Sequence, residues 1–366
     1  MSPKVVLITG GAGFLAQHLI RELQIRSDLD YDEIRIVDRL PFQKRIAELE
    51  VAMLGRQASS LYPGVTPCVV FHLAGSSLPL TMHFDQQQSI RDNVITTSVL
   101  LELLVDHSVE HLVHVSSAFC IVHTAGCQGF TESLTENGPL RDHFHYAPYG
   151  EIKFRAEHIA KTSNGRRLKN GQHLRVAIVR PATIYGEGDT YILPYVMKMC
   201  HKFGCLPEVG DHTALLQFVY AGNVADLMLR YLQVLQKDGA KVSGEVVNAT
   251  EQTPPINPWD FVRPFVEAAG YQLSRKPVPE LVAVPLLFVV QHLVNLLAFF
   301  GLKVGLDWPS YRIARLTANL YHHYGWLRSR LMLDWRPKYK PEAAMDRTLD
   351  WWKTKCDSSE LHLKQS

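Results

Sequence analysis

Short apolar runs alternate with longer amphipathic stretches through the first half of the chain. Val5-Val6-Leu7-Ile8 is continuously apolar and a glycine turn closes it at once, which predicts a buried strand rather than a signal sequence. An amphipathic helix carrying Leu19, Ile20 and Leu23 follows. A second strand, Ile34-Arg35-Ile36-Val37, ends at Asp38, and a third covers 69–73. A helix opened by Asn93 carries Val94, Leu100, Leu101 and Leu104 on the face expected to meet the sheet. Residues 112–115 and 176–179 read as further strands, and 244–248 as a late one. Between them Pro148 introduces a helix running from Tyr149 through Ala160, and proline is well suited to a helix start. Strands alternating with helices predict an α/β fold built on a doubly wound parallel sheet.

Two stretches break the rhythm. Between Asp38 and the strand at 69–73 the pattern gives one helical segment, 43–54, and a loop-like tail, 56–67, with Pro63, Gly64 and Pro67. About thirty residues are tight for a helix, a strand and a second helix with their loops, so an edge strand is expected to be missing there. Beyond Gly186 the periodicity loosens, which divides the chain into a first domain, 1–185, and a smaller region, 186–366, suited to a substrate. Within that region Pro254, Pro255 and Pro258 precede a helix led by Trp259.

The segment 281–302 holds no acidic or basic side chain other than His292 and is long enough to span a bilayer. Gln291, His292 and Asn295 interrupt it, a pattern that suits a helix lying in the membrane interface or one lining an apolar substrate entrance. The flanking Arg275, Lys276 and Lys303 are placed to meet headgroups. The competing expectation is a core helix buried inside a soluble enzyme.

Composition narrows the chemistry. With 366 residues and a formal charge of +2, the chain has ample core and no basic stripe, so a nucleic-acid partner is not expected. Six cysteines lack any Cys-x-x-Cys pair and seventeen histidines lack ligand spacing, which suits a reducing compartment and predicts no metal site.

Two motifs carry the positive signal. Thr9-Gly10-Gly11-Ala12-Gly13-Phe14-Leu15-Ala16, set between strand and helix, is a phosphate cradle of the Rossmann type. Asp38 stands about where an acidic residue meets an adenosine ribose, and its carboxylate favours NAD over NADP, although the adjacent Arg39 could accommodate a 2′-phosphate. Tyr149 and Lys153 share a helix face, so a phenol and an ammonium can address one site. A nearby cation is expected to lower the tyrosine pKa and fit the phenol for proton transfer with an alcohol.

Together with His72-Leu73-Ala74-Gly75, Asn93-Val94 and His111 to Ser117, then Arg180-Pro181 and Ile184-Tyr185-Gly186-Glu187-Gly188, these motifs resemble the extended short-chain dehydrogenase/reductases. The Tyr-Gly-Glu-Gly wording, Tyr220-Ala221-Gly222-Asn223-Val224-Ala225 and the closing turn at 333–339 look most like the 3β-hydroxysteroid dehydrogenase branch. The resemblance spans nearly the whole chain. It implies catalysis by Tyr149, Lys153 and Ser117, with Ser116 pointing the other way along its strand. It implies an NAD site formed by Gly10, Gly13, Phe14, Leu15, Asp38, Ala74, Tyr149, Lys153 and Pro181, with 182–185 along the nicotinamide. Asn93 is expected to be architectural.

The resemblance further implies NAD-linked oxidation of the 3β-hydroxyl of a steroid or sterol, at an endoplasmic reticulum membrane or, alternatively, a mitochondrial one. A homodimer through the Asn93 and Tyr149 helices is the family arrangement. No acid and base for the isomerisation that the family often adds are identified. The alternatives are a decarboxylating 4α-carboxysterol 3-dehydrogenase, a nucleotide-sugar epimerase, and a catalytically impaired binding isoform suggested by the shortened stretch after Asp38.

Overall fold

The computed structural model describes residues 4–49, 66–121, 148–251, 253–302 and 304–357. Its first half runs β1 (Val5–Thr9), α1 (Phe14–Ile25), β2 (Glu33–Val37), β3 (Val69–His72), α2 (Gln86–Ile90), a π-helical turn (Arg91–Ile95), α3 (Thr96–Asp106), β4 (His111–Val115), a 3-10 turn (Ala118–Ile121) and α4 (Tyr149–Thr162). Then come β5 (Arg175–Pro181), β6 (Thr183–Tyr185), α5 (Ile192–Phe203), β7 (Phe218–Tyr220), α6 (Ala221–Lys237), α7 (Gly239–Val242) and β8 (Val246–Ala249). Helices α8 (Pro258–Ala268), α9 (Glu280–Phe299), α10 (Tyr311–Asn319), α11 (Leu327–Leu333) and α12 (Pro341–Asp357) complete it.

Six strands form one parallel sheet in the order β2-β1-β3-β4-β5-β8, as the alternating pattern predicts. Continuously apolar strands are what a sheet covered on both faces requires, and Val5, Ile8, Val70, Phe71, Leu112, Val113, Val176 and Val179 are all buried. The chain leaves β1 for β2 on one side and returns to β3 on the other. This reversal opens a crevice at the carboxyl ends of β1 and β3, the place where such sheets hold ligands. The chain beyond 186 returns to the sheet: β8 pairs with β5, and α6 packs on α1.

Two local expectations differ from the structure. Residues 43–49 are irregular and end in a turn instead of forming a helix, while 50–65, with the rest of the expected helix and most of the loop-like tail, lie outside the described residues. The Gln17 side chain explains the irregular path, because its amide donates to Gln43 O at 2.8 Å and its carbonyl accepts from Arg45 N at 2.8 Å. Those bonds satisfy backbone groups that a helix would pair internally, and Ile46 and Leu49 are buried against the core. Among the described residues β2 is the outermost strand on its side of the sheet.

Asn93 does not open its helix. The helix begins at Gln86, capped by the Asp85 side chain accepting from Gln88 N at 2.8 Å, and Asn93 lies inside the π-helical turn. Its Nδ2 donates to Ser89 O at 2.9 Å and to Ser76 Oγ at 2.8 Å, which ties that turn to the segment after β3. The role is architectural.

α9 buries Ala283, Leu287, Gln291 and Val294, one narrow face, against its neighbours. Leu286, Val289, Leu293 and Leu296 are each more than half exposed, and only 22% of its most apolar window is inside the protein. The helix is long and apolar enough to cross a membrane. It is not a core helix.

Candidate active site

The cofactor end is set by backbone geometry. Gly10 has φ +72°, and a Cβ there would lie 2.7 Å from Ala74 N, so neither the conformation nor the space admits a side chain. Gly10 N donates to Val37 O at 2.8 Å and Gly13 N to Gly10 O at 3.0 Å, which folds the turn tightly against β2. Gly13 is the N-cap of α1 and brings no side chain to it, so the N–H groups around Phe14 and Leu15 face the crevice without a side-chain partner. Asp38 accepts from Ala12 N at 3.0 Å and Leu40 N at 2.9 Å, which fixes its carboxylate at the end of β2. Arg39, the residue that could favour a 2′-phosphate, is turned to Asp92 at 2.7 Å.

The chemical end stands on α4. Tyr149 and Lys153 are both buried on its inward face. Ser117 follows β4, and its hydroxyl hydrogen-bonds the Tyr149 phenol while accepting from Phe119 N at 3.3 Å. Ser116 is turned elsewhere: its N donates to Val179 O at 2.8 Å and its Oγ lies 3.4 Å from Cys120 Sγ. Lys153 Nζ donates to Val115 O at 3.3 Å, the residue just before the two serines. A Cβ on Gly75 would lie 3.5 Å from Lys153 Nζ, so the Ala74-Gly75 backbone passes directly over the ammonium.

One electrostatic expectation is reversed. Burial pushes the Tyr149 phenol well above its ordinary pKa, and the hydrogen bond from Ser117 opposes this. Burial also lowers the Lys153 pKa, against the opposing influence of Cys120 and Glu157. Desolvation is the largest influence on both groups.

Several residues that hold the site are not apparent from motif spacing. Arg180, at the end of β5, forks onto Glu157 of α4 through Nε–Oε2 at 2.8 Å and Nη2–Oε1 at 2.5 Å, both side chains buried. That pair clamps the helix bearing Tyr149 and Lys153 to the sheet. Glu157 lies one turn beyond Lys153 on the same face, so the helical repeat offered a signal, but only the fold shows that Arg180 faces it. Glu187, of the Tyr-Gly-Glu-Gly wording, accepts from Tyr220 Oη at 2.6 Å, Arg347 Nε at 2.9 Å and Arg21 Nη1 at 3.3 Å. Glu251 gathers Tyr185, Asn223 and Tyr220 N in the same way. Glu187 and Glu251 are structural hubs.

A cavity of about 1270 Å³ joins the two ends. Gly10, Gly13, Phe14, Leu15, Asp38 and Ala74 line one part, and Ser117, Tyr149, Lys153 and Pro181 line its middle. The remainder is largely apolar, with Leu206, Val262, Leu286, Leu287, Trp308 and Ile313 contributing, two of them from α9. The tight glycine turn, the helix start without a side-chain cap and the fixed Asp38 carboxylate fit NAD.

The solved structures with this fold include a dTDP-glucose 4,6-dehydratase from Streptomyces venezuelae, 20% identical with a TM-score of 0.65, covering 96% of this chain and 97% of that one. A UDP-galactose 4-epimerase is 17% identical with a TM-score of 0.61 over 96% of this chain and 99% of that one. They establish the architecture. Among curated proteins, 3beta-hydroxysteroid-dehydrogenase/decarboxylase isoform 1 of Arabidopsis thaliana is 25% identical over 94% of this chain and 78% of its own length. The match to isoform 2 spans 61% of that longer protein. Mouse sterol-4-alpha-carboxylate 3-dehydrogenase, decarboxylating, is 23% identical over 94% of this chain and 90% of its own. The profile of the 3-beta hydroxysteroid dehydrogenase/isomerase family matches residues 7–280, and the chain is an NAD-linked oxidoreductase that belongs to that family.

Proposed function

We propose that this protein oxidises the 3β-hydroxyl of a steroid or sterol to the 3-ketone. The observation that carries the reading is the meeting of Tyr149, Ser117 and Lys153 in the middle of one cavity, between the glycine cradle and an apolar compartment. Ser117 hydrogen-bonds Tyr149, and with the alcohol bound it turns its one proton to the substrate oxygen. Tyr149 as phenolate takes the hydroxyl proton. Lys153, held at Val115 O, stands beneath the Ala74-Gly75 backbone to hold that phenolate and meet the nicotinamide ribose. NAD, when bound, supplies the acceptor for the hydride leaving C3. Burial of all three side chains keeps water from the reacting oxygen.

A decarboxylating 4α-carboxysterol 3-dehydrogenase is the second reading, favoured by the names of two relatives. Against it, the described residues lining the apolar end of the cavity include no arginine or lysine to meet a carboxylate, whereas Asp189 is there. The epimerase alternative is disfavoured by that same apolar lining. NADH formation with a 3β-hydroxysteroid, measured beside its 4α-carboxylated counterpart, separates the readings. Turnover of the uncarboxylated compound supports ours, and turnover confined to the carboxylate supports the second. Turnover of neither, with no NAD bound, supports the impaired isoform. A 4-ene product would add isomerisation.

We extend the reading to location. The exposed side of α9, continuous through Leu286 with the cavity wall, suits an enzyme seated on the endoplasmic reticulum membrane and drawing an apolar substrate from it. A homodimer through α3 and α4 is the accompanying arrangement.

A further inference from the structure

Arg45 places a cation at the glycine turn, and nothing above gives that charge a role. Its Nη1 donates at 2.9 Å to Ala12 O, the carbonyl of the peptide that joins Ala12 to Gly13 at the start of α1. The side chain is half-buried and lines the cavity together with Ala12, Gly13, Phe14 and Leu15. Among the described residues its guanidinium makes that one hydrogen bond and no ion pair. A guanidinium has five N–H donors, so most of them remain open.

The backbone around it is fixed. Arg45 N donates to Gln17 Oε1 at 2.8 Å, and Ile46, next in the chain, is buried in the core. A Cβ on Gly188 would lie 3.2 Å from Arg45 Cβ, so the Gly188 backbone runs close beside the stem. The bonds that Gln17 makes to Gln43 and Arg45, in place of a helix, bring the cation to the turn. The charge is poorly compensated there. α1 has no side-chain cap and no acidic residue in its first turn, so its positive end is also open. Burial lowers the Arg45 pKa and Asp38 opposes this, but that carboxylate already accepts from Ala12 N and Leu40 N. A partly desolvated cation beside the positive end of a helix is unfavourable alone and becomes favourable once an anion joins them.

We propose that Arg45 is a cofactor-binding residue whose guanidinium neutralises the pyrophosphate of NAD at the glycine turn. The inference rests on NAD binding and is independent of which alcohol is oxidised. It divides the work at that end of the cavity: backbone N–H groups supply direction, and Arg45 supplies the full charge that they lack.

Arg45→Met in the full-length chain tests this, because methionine keeps an unbranched stem and removes the charge. NAD binding is measured by calorimetry in about 50 mM and about 300 mM KCl, with NADP beside it. The expected result is a Kd for NAD weakened at least about 10-fold at the lower salt, and a gap between variant and parent that narrows at the higher salt. A contact that only ties the turn together would be lost equally at both salts. An unchanged Kd, or a gap of constant size, therefore overturns the assignment. Loss confined to NADP would move the contact to a 2′-phosphate and overturn it as well. Should Arg45→Met not fold, Arg45→Gln is read in the same way. Absence of NAD binding by the unsubstituted chain would overturn the cradle itself, and the role of Arg45 with it.

Discussion

The two ends of the cavity are built on different principles. At the cofactor end, the positions of backbone atoms make the site: Gly10 abuts Ala74, Gly13 starts α1, and Asp38 is held by two N–H groups. At the substrate end, side chains from α5, α8, α9 and α10 make a largely apolar wall, with Asp189 capping the start of α5 beside it. The first kind of site tolerates almost no exchange of residues, while the second keeps its shape through many exchanges of similar volume. Fit to the cofactor is thus a matter of backbone geometry, and fit to the substrate a matter of packing.

Changes that attack the geometry should do the most damage. Gly10→Val forces a β-branched residue to φ +72° and its Cβ onto Ala74 N, so NAD binding measured by calorimetry should fall more than about 100-fold. Retained affinity would show that the turn is not the cradle. Next, Arg180→Met leaves Glu157 buried and unpaired, which should destabilise the fold by about 3–5 kcal/mol and lower Tm accordingly. A Tm within a degree of the parent would remove the clamp from the account.

Acid provides a third, broader test. Burial holds His18 down to about 4 and His72 to about 3, so both stay neutral in the fold where the unfolded chain protonates them. Their contribution is fully present above pH of about 6.5 and is lost as pH falls towards those values, at up to about 1.4 kcal/mol per unit for each histidine. Denaturant unfolding between pH 7 and 5 should show stability declining, and a flat profile would contradict burial in the neutral form. The smallest effect on stability concerns the outer face of α9. Val289→Glu with Leu293→Glu should leave Tm within about 1 °C yet abolish sedimentation with phospholipid vesicles, whereas Leu287→Glu on the inner face should lower Tm by several degrees. Unfolding by the outer pair would return α9 to the core.

The asymmetry also explains what the sequence made legible. The order of strands, the glycine turn, Asp38 and the Tyr149–Lys153 pairing follow from local rules, because positive φ demands glycine and a helix puts residues four apart on one side. Ser117 was reachable through its order along the chain. The Glu157–Arg180 fork was not, since its partners stand twenty-three positions apart on different elements. The expected helix at 43–54 failed over 43–49 for a related reason, as its backbone is satisfied by Gln17, a distant side chain that no local pattern counts. The lowered phenol pKa failed because neighbour effects are visible in a motif and burial is not.

The most direct test is NADH formation from a 3β-hydroxysteroid by the membrane-reconstituted protein and its Tyr149→Phe variant, with NAD binding measured on both. Turnover by the parent should rise with pH through neutrality, as a phenol held above its ordinary pKa requires. It predicts a loss of at least about 1000-fold in the variant with NAD affinity unchanged. A variant that turns over as fast as its parent would contradict Tyr149 as the base.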